Sequence, residues 1–290
     1  MNHAGTTAAA KELSESQRQA LVSLLADEDP SVYQTVRARI LSCGPSAAEW
    51  LRPLATSNDA ALRRRAQQIV LHFDRQAADD HFLAFCLRHG EEFDLEQGAW
   101  LFAQTKYPLI NLEAYRALLD GYANELRGRI NPGGEPRQTL TAINHYLFED
   151  LGFTGNDANY YDPENSYLNR VMDLRAGNPI NLSLLYILVA RRLSLPIAGI
   201  GLPGHFICRY QSTAEEVFID PFSRGKLLTK AHCVQFLAST NCSRRDEYLA
   251  PVSSRRFLLR ICNNLHQVYQ RLELAVEAMR VQRYLVALAR

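Results

Sequence analysis

The stretch GNPINLSLLYILVARRLSLPIAGIGLPGHFICRY (residues 177–210), followed by EVFID (216–220), decides the fold of this chain. An Asn-Pro pair opens it, which favours a helix start at Pro179, because proline at the first helical position loses no needed hydrogen bond. The apolar run that follows predicts a helix, which a Leu-Pro pair ends. IAGIGL, HFICRY and EVFID then predict three strands, the second beginning with His205 and the third ending in Asp220.

A helix, a His and an Asp in this order are parts of a thiol hydrolase site. Such a site needs a Cys at a helix N-terminus, where the helix dipole lowers the pKa of the thiol. It also needs a His as base and an Asp or Asn that orients the His. This chain has His205 and Asp220 at strand ends, but Pro179 stands at the helix start. The pair then forms a structural hydrogen bond, lines a retained polar pocket, or still performs catalysis.

Other residues near the helix start are poor substitutes for the missing nucleophile. Ser183 lies one turn further along the same helix face, where a small packing residue is expected. Cys208 follows His205 by three residues on one strand, so their side chains should point to opposite faces. Asn178 is either a helix cap alone or a ligand-binding residue as well.

Three motifs resemble the transglutaminase-like superfamily, in its bacterial SirB-one branch, which pairs that core with tetratricopeptide-type helices. They are YYDPENSYLNRV (160–171), the 177–210 stretch and FIDPFSRGKLL (218–228). They occur in the family's order, and the resemblance covers roughly residues 145–290.

The resemblance assigns roles to individual residues. In active enzymes of the family the Cys lies seventeen residues before the Pro of the turn that ends its helix, and the residue seventeen before Pro196 is Pro179. By the same resemblance, His205 and Asp220 correspond to the catalytic His and Asp. The loop with Tyr160 and Tyr161 then lies near the site, which makes these two residues, with Asn178, candidate ligand-binding residues.

Bulk properties narrow the partners and the compartment. The chain has 290 residues and a formal net charge of +1, with acidic and basic residues interspersed, so neither nucleic acid nor an anionic membrane is expected as a partner. No apolar run reaches the roughly 18 residues of a transmembrane span, and the N-terminus lacks the features of a signal peptide. We therefore expect a cytoplasmic protein.

The cysteines and histidines predict neither disulfides nor a metal site. None of the six cysteines forms a C-x-x-C motif, and the spacing of His81, Cys86 and His89 fits no standard ligand set. We expect reduced thiols, no metal and no cofactor. The cysteines are Cys43, Cys86, Cys208, Cys233, Cys242 and Cys262.

The whole chain is predicted to be α+β and mostly helical. Residues 1–127 predict a helical array, with a weak internal repeat between 25–41 and 54–70 that resembles HEAT-like helical pairs. Residues 128–252 predict a transglutaminase-like core, with a papain-like arrangement of a helix against a small antiparallel sheet. Residues 253–290 predict a tetratricopeptide-type helical hairpin packed on that core.

Two functions from different classes follow. The favoured one is a catalytically degenerate transglutaminase-like module for protein interaction or regulation, because helical arrays are common binding surfaces. The alternative is a hydrolase or acyl transferase on amide bonds, in which His205 and Asp220 activate water without a Cys nucleophile. An open polar cleft exposing His205 would favour the ligand-binding or enzymatic reading, whereas a His205 sealed under Tyr160 or Tyr161 would favour a scaffold. The oligomeric state is not predicted.

Overall fold

A computed structural model describes residues 13–131, 133–212, 215–240 and 247–290. The N-terminal residues, for which no signal peptide was predicted, and Cys242 lie outside these ranges. The chain divides into two compact units, one of residues 1–80 with 104–109 and one of residues 81–103 with 110–290. The three-domain division at 127 and 252 stays a prediction.

The first unit is built from helices with clear local start signals. α2 begins at such a signal, because the Asp29 carboxylate accepts from Ser31 N–H at 2.8 Å and Pro30 occupies the first helical position. An apolar core that includes Leu25, Ile40 and Leu51 joins these helices. Their bounds are α1 Glu15–Leu25, α2 Pro30–Leu41, α3 Ala47–Leu51 and α4 Ala60–Arg88, with a 3-10 helix at Arg52–Thr56; α4 continues into the second unit.

The second unit contains the remaining helices and every strand of the described residues. Its α-helices are α5 Leu95–Lys106, which ends in the first unit, α6 Leu112–Arg127, α7 Pro136–Asn144, α8 Leu168–Leu174, α9 Pro179–Arg192, α10 Lys230–Ser239, α11 Ser254–Arg271 and α12 Ala275–Leu288. A π-helical turn spans His145–Asp150, and 3-10 turns span Pro163–Ser166 and Glu247–Leu249.

The sheet is an antiparallel meander of four strands, in the order β3 Ile197–Leu202, β4 His205–Gln211, β5 Glu216–Asp220 and β6 Lys226–Leu228. The first three match the predicted strands. β6 was missed, as was a parallel two-residue pair, β1 Thr154–Gly155 with β2 Ala176–Gly177. Strands of two or three residues are too short to leave an alternating pattern in the sequence.

α9 is the central helix of the second unit. Every residue from Pro179 to Ala190 is buried, which explains why the helix is apolar on all sides rather than on one stripe. It packs against β3, β4 and α6, and α11 reaches it as well. The chain is thus α+β and mostly helical, as predicted. Among the described residues, none of the helices combines the length and the apolar character needed to cross a membrane.

Candidate active site

The start of α9 is a capped helix terminus that faces a cavity. The Asn178 side-chain oxygen accepts a hydrogen bond from the backbone N–H of Asn181 at 3.0 Å, as expected of an N-cap, and a second one from the side-chain amide Nδ2 of Asn181 at 3.1 Å. Pro179 follows at the first helical position, and it is buried. A proline has no thiol and no backbone N–H, so this residue can supply neither a nucleophile nor a donor to an oxyanion.

His205 and Asp220 meet across the neighbouring strands β4 and β5. His205 Nε2 lies 2.9 Å from Asp220 Oδ2, which confirms the predicted hydrogen bond. An ionised carboxylate only accepts, so Nε2 carries the proton and donates. The other ring nitrogen, Nδ1, has no hydrogen bond among the described residues, and it is the atom that could act as a base or bind a ligand.

Asp220 is held in place by the turn that follows it. Its Oδ1 accepts from the N–H groups of Phe222 and Ser223 at 3.1 and 3.2 Å, and its Oδ2 accepts from the Ser223 hydroxyl at 2.9 Å. Burial alone raises the pKa of Asp220, but the hydrogen bonds from His205 and Ser223 outweigh it and hold the pKa below its ordinary value of 3.8. The carboxylate therefore stays ionised and orients the imidazole. The sequence reading did not include Ser223.

The α9 start and His205 line one cavity of about 330 Å³. Asn178 and Pro179 form part of its wall, and the predicted loop residues Tyr160 and Tyr161 form another part. His205 keeps 20% of its side-chain surface exposed, while Tyr160 and Tyr161 are 39% and 48% exposed. The tyrosines therefore border the cavity rather than seal His205 beneath them.

The remaining wall comes from α11, and the sequence reading missed it. Arg260, Asn263, Asn264 and Gln267 line the cavity along one face of that helix. Their spacing of three or four residues is visible in the sequence, but such a polar face usually indicates a solvated surface. α11 is joined to the start of α8, because the hydroxyl of Tyr269 and that of Tyr167, which directly precedes α8, lie 3.0 Å apart.

His205 also lines a second cavity, of about 450 Å³. Asp220, His232, Cys233 and Phe236 are among the residues that line it. Cys233 is almost fully buried, and burial raises the pKa of its thiol to about 11. This cysteine is therefore a protonated thiol at neutral pH, unlike an activated nucleophile.

The two alternative nucleophiles lie away from the first cavity. Cys208 and Ser183 are fully buried, and Cys208 Sγ donates to the Ser183 carbonyl at 3.6 Å. Burial raises the pKa of the Cys208 thiol, and the Ser183 hydroxyl donates to the Phe206 carbonyl at 3.5 Å. Both residues pack α9 onto the sheet. No cluster of three or more potential metal ligands occurs in the part of the chain that the structure describes.

Comparison with known proteins gives two kinds of relative. UPF0162 proteins from Xylella fastidiosa and Pseudomonas aeruginosa are 37% and 26% identical over 185 and 187 residues, which cover 62% and 63% of this chain and 66% and 67% of theirs. The chain thus spans just under two thirds of the Xylella fastidiosa relative. F-box only protein 21 from Mus musculus is 40% identical over 104 residues, 33% of this chain and 17% of that protein.

No solved structure matches the chain. The family model described as the transglutaminase-like superfamily matches residues 113–263. This range is more than half of the chain, and it contains the α9 start, His205, Asp220 and, on the cavity-lining face of α11, Arg260 and Asn263. On this match, the chain belongs to the transglutaminase-like superfamily.

Proposed function

We propose that this protein is a catalytically degenerate transglutaminase-like protein, which binds a protein partner and receives one of its side chains in the cavity at the start of α9. A regulatory role would follow from such binding. The observation that carries the proposal is Pro179, which lines the same cavity as His205, the hydrogen-bond partner of Asp220, and stands at the helix start, where a thiol hydrolase needs its Cys.

Covalent catalysis lacks two parts in this cavity. No cysteine is among its lining residues, and Cys233 faces the second cavity as a protonated thiol. Pro179 also cannot donate a backbone hydrogen bond to the oxyanion of an acyl-transfer intermediate, a donor worth about 3 kcal/mol in enzymes that have one. The family's reaction therefore has neither its nucleophile nor this source of transition-state stabilisation.

Binding, by contrast, retains what it needs. A cavity of about 330 Å³ is within the ordinary size range of small-ligand sites. Polar groups converge on it from α9, α11 and His205. The relation to F-box only protein 21 supports modular use, because the similar segment makes up only 17% of that larger chain. We further propose that the chain belongs to the SirB-one branch, on the order of its three motifs, and that it works in the cytoplasm.

The first test is an assay for amide hydrolysis and transamidation on the full chain, with and without iodoacetamide. We expect no thiol-dependent turnover, because no activated thiol lines the cavity. Turnover that alkylation abolishes would overturn the proposal.

The second test is photo-crosslinking in the native organism. A photoreactive amino acid replaces Tyr161 at the cavity border or, as a control, Val276, which is 72% exposed on α12 and does not line the cavity. We expect a discrete protein adduct from position 161 that position 276 does not give. Equal adducts from both positions, or none from 161, would contradict partner binding at this cavity.

The alternative function is a hydrolase or acyl transferase that uses His205 as a general base on water. The observation in its favour is that the His205–Asp220 pair is intact, because His205 Nε2 bonds to Asp220 and His205 Nδ1 has no hydrogen bond among the described residues. General-base catalysis contributes about 10²–10⁴-fold. Turnover that resists iodoacetamide but is abolished in His205→Ala would favour this alternative over the binding module.

A further inference from the structure

We infer that the cavity at the start of α9 recognises a carboxylate group and that Arg260 supplies its counter-charge. This inference rests on the proposed function, since it names the chemical class of the group that the cavity receives. It starts from an arginine that is half buried, lines the cavity and has no acidic partner among the described residues.

Arg260 differs from three other wholly or partly buried arginines of the second unit. Arg192 forms a two-pronged ion pair with a glutamate, Arg209 pairs with Glu216, and Arg255 donates to four backbone carbonyls. Arg260 makes a single hydrogen bond among the described residues, from Nη2 to the Leu202 carbonyl at 3.1 Å. That bond holds the β3–β4 turn but uses one of the five donors of a guanidinium.

Burial without an acidic neighbour is costly for a cation. It lowers the pKa of Arg260, and only the nearby Tyr160 acts in the opposite direction. Proteins keep such charges where a ligand pairs with them, because the unpaired cost is recovered when the ligand binds.

The rest of the cavity favours an anion as well. Neither aspartate nor glutamate is among its lining residues, whereas Asn263, Asn264 and Gln267 bring amide donors. The N–H groups of Asn181 and Leu182 already bond to Asn178. Ile180 carries the remaining first-turn N–H of α9, and it lines the cavity, where the positive end of the helix dipole favours negative charge.

The charge count points to a carboxylate. Among the described residues that line the cavity, Arg260 is the one permanent cation, so it matches a monoanion, and its planar fork fits two carboxylate oxygens. A phosphate dianion would bring a second negative charge with no second permanent cation to meet it. An acidic side chain of a protein partner fulfils these conditions, and so does the carboxylate of a small free acid.

The test is a titration of the full chain with three probes, followed by NMR. The probes are N-acetyl-glutamate N-methylamide, the corresponding glutamine amide and glutarate, which has carboxylates but no peptide groups. We expect the glutamate probe to bind about tenfold or more tightly than the glutamine probe, as a charge-assisted pair requires. The signals of the Arg260 guanidinium and of Asn263 and Asn264 should shift with the glutamate probe and not with the glutamine probe.

Variants identify the counter-charge. Arg260→Gln replaces the cation with a neutral amide, so it should bind the two peptide probes within about twofold of each other. Arg256→Gln is the matched control, since Arg256 lies one turn earlier on α11, is exposed and does not line this cavity. Arg256→Gln should keep the preference for the glutamate probe. Urea unfolding of each variant checks that it is folded, and the wild-type NMR shifts decide the question if Arg260→Gln is not.

The outcomes separate this inference from the proposed function. A preference for the glutamate probe over glutarate identifies a protein side chain as the source of the carboxylate, and equal binding identifies a small free acid; both support the inference. Equal binding of both peptide probes, or a preference that survives Arg260→Gln, overturns the inference but leaves the binding cavity standing. If no probe binds at about 10 mM, the affinity is weaker than that of a 1 mM complex, which corresponds to −4.1 kcal/mol. That result overturns both the inference and the proposed binding cavity.

Discussion

Replacing Pro179 with cysteine should create a reactive thiol in the cavity that His205 lines. The new side chain would stand at the first position of α9, after the intact Asn178 cap. It would also regain a backbone N–H that could face an oxyanion. The helix should tolerate the change, because this position has no acceptor for its N–H within the helix; we expect a loss of stability of about 1 kcal/mol or less.

The pKa of the engineered thiol follows from two contributions. The helix dipole is worth about 0.3–1 kcal/mol, and one pKa unit is 1.36 kcal/mol, so the dipole alone lowers the thiol pKa from about 8.5 to about 8. An imidazolium of His205 at about 4 Å adds up to 4 kcal/mol at an effective dielectric constant of 20, part of which the Asp220 carboxylate offsets. We therefore expect an apparent pKa below about 7.

The assay measures the rate of iodoacetamide alkylation against pH, by mass spectrometry of the tryptic peptide 176–191, which contains no native cysteine. The matched control is Pro30→Cys, because Pro30 also occupies the first position of a helix after a side-chain cap but is exposed. The control should titrate at about 8.5 or above, because the Asp29 carboxylate that caps α2 offsets the dipole. His205→Ala in the Pro179→Cys background should bring the thiol pKa up to about 8, the value that the dipole alone predicts after a neutral cap.

Two results would refute this reasoning. If the thiol at position 179 alkylates with the same pH dependence as the thiol at position 30, the helix start is not paired with His205. If His205→Ala leaves the apparent pKa unchanged, Pro179 does not occupy the vacated nucleophile position.

Three further predictions concern the elements that hold the site. The pKa of Asp220 is lowered in the folded protein, so the carboxylate contributes fully to stability above its pKa in the unfolded chain, about 3.9, and this contribution is lost as the pH falls through the pKa of the folded state. The midpoint of urea unfolding, measured against pH, should show this loss in the wild type and not in Asp220→Asn. Arg192→Met removes one partner of a largely buried ion pair and should lower the free energy of unfolding in urea by about 3 kcal/mol. Arg224→Met, at an exposed ion pair, should change it by no more than about 0.5 kcal/mol, and equal losses would contradict the role of burial. Gly225, in the turn after Asp220, has a φ of +74°, and the Cβ of Gly225→Ala would lie 2.3 Å from an asparagine side chain, whereas nothing lies within 4 Å of the Cβ of the control Gly44→Ala. Thermal unfolding should therefore show a larger loss of stability for Gly225→Ala than the about 1 kcal/mol of left-handed strain expected for Gly44→Ala. Similar losses at both positions would mean that the turn accommodates the extra atom without cost.

Local signals account for the parts of the site that could be predicted. Asn178 and Pro179 favour a helix start through their own side chains. The strands that place His205 and Asp220 are long enough for a strand pattern to be visible in the sequence. The hydrogen bond between these two side chains follows from an antiparallel pairing of consecutive strands, which a short connection favours. Two features lacked any such signal: the three-residue strand β6 and the hydrogen bonds from Ser223 to Asp220. Each depends on the path of the turn between β5 and β6.

The sequence by itself determined the helix that begins at Pro179 and the three strands that follow it, because these elements depend on the pattern of neighbouring residues. Only the tertiary structure decided that α11 completes the cavity. Its polar face, which begins at Arg260, has the same spacing as a solvated surface, and one chain segment cannot show which of its faces another will cover. The exposure of His205 was decided in the same way, because the bordering tyrosines contact residues distant in sequence. The Tyr160 ring contacts Phe222, and the Arg271 guanidinium of α11 lies 4.0 Å from the centre of the Tyr161 ring.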